Sequence, residues 1–302
     1  MSFDLDTYLS DKKKLVEDRL NSLLRNPGAP LGKLEESIRY SALAGGKRLR
    51  PILAIAACEA LGGSADNVLP IACAIEMIHT YSLVHDDLPS MDDDALRRGV
   101  PTNHTIFGEA AAILTGDALL TDAFYVMVNE GLSSGIEPEL LCEVISDISH
   151  AAGSHGMIRG QAIDLQIETF TEDNGDVSLQ DIELMHSLKT GALIEVSITT
   201  GAKIGGADTK QLKQLALYGR SIGLAFQIVD DVLDVVGGGD MGKESGNDAR
   251  NDKSTYAQLA GIEASKKRAS ELTESAVGAL SNFGESAEPL KEIALYLGCR
   301  KF

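Results

Sequence analysis

The chain has no tryptophan, and aromatic residues make up only 5% of its 302 positions. Positive charge is scarce too. Lys and Arg number 27 against 45 Asp and Glu, for a formal net charge of −18. So acidic a protein opposes non-specific attachment to nucleic acid or to an anionic membrane surface. It does not exclude an anionic substrate, provided that metal ions and a few placed cations surround it. Cysteine is sparse, at 58, 73, 142 and 299, with no CxxC pair. Cys58, Cys73 and Cys142 fall in apolar helical stretches and read as small buried thiols in a reducing compartment. Met1 to Asp6 offers neither the basic nor the apolar region of a signal peptide. No run of 18 apolar residues occurs, so no membrane-spanning helix is expected. A cytoplasmic protein is the expectation. Strand-like alternation is also missing. Its best candidate, Ile194 to Thr199, lies between helical signals and reads as buried helix.

What is present is helical periodicity, in a sequence that is 44% hydrophobic. Leu34, Ile38 and Leu43 mark one amphipathic run, and Ile52 to Leu61 another, stopped by Gly62-Gly63. Val68 to Val84 is apolar nearly all round, as in a helix at the centre of a bundle. Further runs cover about 107–130, 137–167, 178–204, 208–236, 254–281 and 287–297. Ser178 to Asp181 reads as a capping box, and Gly131, Gly205-Gly206 and Gly237 to Gly239 as stops. Loops are expected at about 26–32, 88–106, 170–177 and 237–252. The reading is one all-α domain over 1–302, a bundle of about ten helices with functional loops at one end.

Two aspartate clusters end apolar helical runs: His85-Asp86-Asp87-Leu88-Pro89-Ser90-Met91-Asp92-Asp93-Asp94 and Phe226-Gln227-Ile228-Val229-Asp230-Asp231-Val232-Leu233-Asp234. Carboxylates beside a core are costly unless they bind something. Asp230 and Asp234 share a helix face at i,i+4 and repel unless a cation bridges them. A solvated acidic helix end is the bland alternative, but Ile222 to Val229 before them look like core. Asp86 and Asp92 are six apart and would miss each other on a continuous helix. Pro89 forbids continuity. If Pro89-Ser90 bulge out, Asp86 and Asp92 regain i,i+4-like spacing. Hard oxygen ligands suit Mg²⁺, and Mg²⁺ suits a diphosphate. Cations stand nearby: Lys47, Arg48 and Arg50 after Gly45-Gly46, then Arg97-Arg98, Lys189, Lys243 and Lys253. An isolated Lys or Arg is usually solvated surface, yet beside metal-ligand candidates such groups suit phosphate oxygens.

From about Lys33 to Tyr256 the chain resembles the trans-isoprenyl diphosphate synthases. The resemblance rests on the ordered motifs GGKRLRP, HDDLPSMDDDALRRG, GQAIDLQ, KTGALI, GLAFQIVDDVLDVVG and GK-x₂-G-x-D-x₄-KSTY. It is nearest to the bacterial farnesyl diphosphate synthase type, whose first motif carries the insertion seen as Pro89-Ser90. The resemblance implies an isoprenoid-synthase bundle around a central cavity, a homodimer, and about three Mg²⁺ ions per site once allylic diphosphate is bound. It implies head-to-tail condensation of isopentenyl diphosphate with dimethylallyl or geranyl diphosphate. Asp86, Asp92 and Asp230 resemble the Mg²⁺ ligands, supported by Asp87 and Asp234. Arg97, Lys189 and Lys253 resemble the grip on the allylic diphosphate, with Gln227 and Lys243. Lys47, Arg50, His79 and Arg98 resemble the isopentenyl diphosphate site. Thr190 and Gln227 lie where the family stabilises the allylic cation, so Lys189, Thr190, Gln227 and Lys253 form the expected catalytic set. Gln161 and Asp164 sit in a motif facing the same cavity.

Tyr81 and Ser82, a turn before Asp86, are expected to face the cavity below the metal site, with Tyr81 as its floor. The resemblance links Tyr81 and the Pro89-Ser90 insertion to a fifteen-carbon (C15) farnesyl product. The first alternative is a geranylgeranyl (C20) synthase with a deeper pocket. A terpene cyclase is disfavoured, because it needs no isopentenyl diphosphate site. A non-catalytic subunit is disfavoured, because both acid clusters stand intact.

Overall fold

A computed structural model describes residues 3–24, 33–172, 177–236 and 255–298. They form an all-α bundle. Its helices are α1 (Leu5–Leu23), α2 (Lys33–Ala42), α3 (Leu49–Glu59), α4 (Ala65–Asp86), α5 (Asn103–Phe107), α6 (Glu109–Ser133) and α7 (Pro138–Ala152). They continue as α8 (Met157–Glu172), α9 (Leu179–His186), α10 (Ala192–Ile204), α11 (Thr209–Val236), α12 (Tyr256–Ala260), α13 (Ile262–Ala279) and α14 (Glu288–Gly298). A π-turn, Ser187–Gly191, joins α9 to α10 without a break.

The central helix is α4. It is buried on every side from Val68 to Ile78 and packs against α1, α2, α3, α6 and α10. Apolarity all round is what such a position demands. α11 is the second axis, with α10, α12, α13 and α14 around it. Both axes carry aspartates at their C-terminal ends. Ile194 to Thr199 is helical and largely buried within α10, as its flanks implied. The Ser178 capping box forms: its hydroxyl accepts from the Asp181 amide at 3.2 Å, and the Asp181 carboxylate accepts from the Ser178 amide at 3.0 Å.

The structure corrects several expectations. α1 was not anticipated, because its apolar positions are thinly spread and only Val16 and Leu20 are buried. Gly131 is no stop. It lies inside α6, where an added Cβ would stand 3.0 Å from Leu141 and 3.1 Å from Ile71, so it serves close packing. The run at 137–167 breaks at 153–156, and α8 continues to Glu172. The 88–106 segment holds a two-residue hairpin, β1 (Leu96–Arg97) and β2 (Val100–Pro101), and the start of α5. Arg98 and Gly99 form its turn with φ of 55° and 78°. Such positive values match the twist of paired strands, but the usual sequence signal is Asn-Gly. Cys58 and Cys73 are buried, but Cys142 is exposed. Two helices, α4 and α6, are long and apolar enough to cross a membrane by length and composition; α4 is mostly buried. Cys299, the glycines at 237–239 and the loops at 26–32 and 237–252 lie outside the described residues.

Candidate active site

α4 ends at Asp86, and the inserted pair then leaves the helix. Pro89 and Ser90 are exposed. The Asp92 amide donates to the Asp86 carbonyl at 2.8 Å, closing over a loop two residues longer than a helical turn. The bulge inferred from Pro89 is therefore formed, and Asp92 returns to Asp86. Burial pushes the Asp86 carboxyl up to about 6; Lys189 opposes the shift, and Asp92 adds to it. Asp87 faces the other way, 4% exposed, and accepts from Arg97 Nε at 2.6 Å. Burial still outweighs Arg97, and the Asp87 carboxyl lies above the usual range.

The hairpin turn sets the two arginines. Arg97 pairs with Asp87, and Arg98 donates to the Gly45 carbonyl at 2.7 Å. Gly46 has a φ of +127° and lies under the Arg98 guanidinium, where a Cβ would collide at 2.2 Å. Opposite stands His79 on α4. Its pKa falls well below the ordinary value through burial and then through Arg50, Arg98, Arg97 and Arg48, so the ring is neutral. Burial lowers Arg50 to about 10, with Arg98 adding to the effect and Glu76 opposing it, and Arg50 Nε is buried without a partner. Arg98 is lowered for similar reasons. Lys47 is exposed at the same glycine-rich entry. Arg48 instead turns inward. It is 3% exposed, donates to Glu76 at 2.9 Å and to the Ala42 carbonyl at 2.8 Å, and adopts a φ of 51°. Arg48, Glu76, His79, Arg97, Arg98 and Tyr40 line one cleft. Three arginines meet two carboxylates, Glu76 and Asp87, there, an excess of positive charge that an anion would neutralise.

Lys189 and Thr190 sit half-buried in the π-turn, a local expansion of helix often found at functional sites. Lys189 Nζ donates to Asp164 of α8 at 2.5 Å. Next to this pair, both amide atoms of Gln161 are buried without a partner. Buried polar atoms are nearly always satisfied, so an orphaned amide marks a place where a ligand or water belongs. Gln227 is half-buried on α11, three residues before Asp230. Asp230 is half-buried and Asp234 exposed. Asp231, which sequence reasoning left without a role, is held by protein. It accepts from the Tyr256 amide at 2.8 Å and stands 3.7 Å from His186 Nε2. Burial lifts its carboxyl to about 7; the Tyr256 bond opposes the shift, and Asp234, Asp230 and Asp164 add to it. Burial and Lys189 hold His186 near 4. Asp86 thus feels Lys189, and Asp231 feels Asp164, so each acid cluster lies within electrostatic reach of one member of the Lys189–Asp164 pair.

Tyr81 is 6% exposed and packs edge-on to His85, with ring centroids 5.8 Å apart. Its hydroxyl is buried without a partner, and burial, with Asp86 adding, raises its pKa to about 12. Ser82 spends its hydroxyl on the His79 carbonyl at 2.9 Å. Lys243 and Lys253 lie outside the described residues. Among the described residues, no three His, Cys, Asp or Glu side chains converge closely enough to hold a metal ion alone. Mg²⁺ seldom requires that: it keeps waters and takes substrate phosphates, with one or two carboxylates from the protein. The donor set of Asp86 and Asp92, hard oxygens brought together by the bulge at Pro89-Ser90, fits that mode.

Fold and site together define a class, an all-α isoprenoid synthase that handles diphosphates. The comparisons agree. Residues 32–293 match the polyprenyl synthetase family model. The chain is 44% identical over 297 residues to a geranylgeranyl diphosphate synthase of Cyanophora paradoxa, covering 98% of this chain and 96% of that one. It is 45% identical over 298 residues to a dimethylallyltranstransferase of Fischerella ambigua, covering 98% and 84%. Among solved structures, an FPP/GFPP synthase from Zymomonas mobilis superposes with a TM-score of 0.87 at 38% identity, covering 97% and 98%. The chain belongs to the polyprenyl synthetase family, whose members are generally Mg²⁺-dependent and use isopentenyl and allylic diphosphates, and it is a prenyltransferase.

Proposed function

We propose that this enzyme, one domain over 1–302, condenses isopentenyl diphosphate head-to-tail with dimethylallyl or geranyl diphosphate. The observation that carries this is the placing of two charge clusters in a chain of net charge −18. An arginine-rich cleft around a neutral His79 adjoins the first acid cluster through Asp87, and Lys189 acts on Asp86 of that same cluster. The cleft suits an anion held without metal, and the carboxylates suit one held through it. In this reading Lys47, Arg50, His79 and Arg98 take isopentenyl diphosphate. Asp86, Asp92 and Asp230, aided by Asp87 and Asp234, hold the Mg²⁺ ions, which neutralise the departing diphosphate as charge develops. Lys189 and Arg97, with Lys243 and Lys253, grip the allylic diphosphate. The Thr190 hydroxyl and Gln227 amide point dipoles at the allylic cation without capturing it. The apolar walls exclude water. No protein base is needed, because the diphosphate can accept the proton.

For product length, our first reading is now C20. The curated relatives at 44–45% identity include geranylgeranyl diphosphate synthases of Cyanophora paradoxa and Catharanthus roseus. This departs from the C15 product expected from the sequence. A second reading, C15, keeps one observation, the buried Tyr81 just ahead of Asp86 on α4. Incubation with Mg²⁺, isopentenyl diphosphate and geranyl diphosphate, followed by chromatography, separates the two. No condensation product would overturn both. The assembly we propose is a homodimer through α6, where Ile113, Leu114, Tyr125, Val128 and Leu132 are exposed. One relative, from Arabidopsis thaliana, is the large subunit of a heterodimer, so the partner is testable. A cytoplasmic location remains our proposal; the relatives from Arabidopsis thaliana and Catharanthus roseus are named as chloroplastic.

A further inference from the structure

The π-turn that carries Lys189 does not hold its own position. α8 approaches it so closely that a Cβ on Gly160 would lie 2.1 Å from Lys189 N, 2.4 Å from Lys189 Cα and 2.7 Å from Leu188 C. These are backbone atoms, which cannot swing aside as a side-chain tip can. On the far side, a Cβ on Gly223 of α11 would stand 3.0 Å from Gly191 Cα. The turn is thus clamped between two helices through glycines. One helical turn beyond Gly160, on the same face of α8, Asp164 takes the Lys189 ammonium at 2.5 Å. A single face of α8 therefore locates both ends of Lys189.

We propose that Gly160 and Asp164 are a pair of positioning residues for Lys189. Gly160 sets the depth of its backbone. Asp164 aims its ammonium at the carboxylate clusters and hands it to the allylic diphosphate on binding. No covalent step is involved; the ammonium exchanges one anionic partner for another. The inference rests on the reading above that Lys189 grips the allylic substrate.

Alanine at 160 must part the two backbones by about 1 Å or more. A misplacement of that size can cost a hundredfold in rate. Gly160→Ala is therefore expected to raise KM for geranyl diphosphate about tenfold or more and to lower kcat, with KM for isopentenyl diphosphate within about twofold. Asp164→Asn keeps the shape and removes the charge, so it tests the second half even if Gly160→Ala fails to fold. In metal-free, substrate-free protein, trinitrobenzenesulfonate labelling followed by peptide mass spectrometry reads Lys189 directly, with surface Lys291 as the internal reference. The expected result is severalfold faster labelling of Lys189 in Asp164→Asn, with Lys291 unchanged. Equal labelling in wild type and Asp164→Asn, or wild-type KM and kcat in Gly160→Ala, would overturn the proposal. A wild type that makes no product but still shows the labelling contrast supports the positioning pair and overturns the substrate reading.

Discussion

Replacing Tyr81 by alanine should lengthen the product by at least one isoprene unit. The ring is buried on α4 just ahead of Asp86 in sequence and edge-on to His85, and its hydroxyl meets no partner. Each added unit buries about five carbons, worth roughly 4 kcal/mol at ~0.8 kcal/mol per CH₂. That gain corresponds to nearly a thousandfold, but only if space exists. A fixed aromatic ring converts it into a clash. Removing the ring opens the space and costs the empty protein about 3–5 kcal/mol as a cavity. The variant should therefore melt several degrees lower while making longer products. Tyr81→Phe is the control. It deletes a buried hydroxyl with no hydrogen bond, so it should hold or raise the melting temperature and leave chain length unchanged. The assay is reversed-phase chromatography of dephosphorylated products beside a thermal melt. An unchanged product from Tyr81→Ala, with the expected loss of stability, refutes the floor and leaves Tyr81 an ordinary core residue.

Three further outcomes are expected. Asp86 and Asp231 have pKa values raised to about 6 and 7, so the folded state prefers them protonated. Metal-free protein should lose stability as pH rises from about 4 through 7, and Asp231→Asn should raise the melting point at pH 8 but not at pH 4; a variant destabilised at both pH values speaks against this. Glu76→Ala leaves the buried Arg48 with only the more distant Glu17 carboxylate, 3.6 Å from its Nε, and should cost up to about 3–5 kcal/mol in denaturant melts, with less lost when Arg48→Met is added; additive losses would deny the coupling. Tyr125→Glu on α6 should convert the proposed dimer to monomer in sedimentation, and a wild type already monomeric would deny that interface.

Much of the candidate site's layout was legible because the residues concerned lie close together in sequence. Pro89 alone implied that the helix could not run from Asp86 to Asp92, and the 2.8 Å bond from the Asp92 amide to the Asp86 carbonyl is the resulting bulge. The apolar run before Asp230 placed that cluster against core. Other residues were misjudged because their role depends on a distant neighbour. Arg48 looked like one more cation in GGKRLRP, yet it turns to Glu76, 28 positions away. Asp231 stood in the second cluster without a role, and the Tyr256 amide, 25 positions away, holds it. Gly131 looked like a stop, but it lies inside α6, packed closely against Leu141 and Ile71.

The sequence by itself determined the helical class, the two acid clusters, the cations and the chemistry they can perform. These follow from periodicity, proline geometry and charge, all readable within a few turns of chain. Only the tertiary structure decided which carboxylates remain open and which are spent on protein partners. It also placed the π-turn against α8, because backbone contact at Gly160 and the ion pair at Asp164 exist only once separate helices pack together.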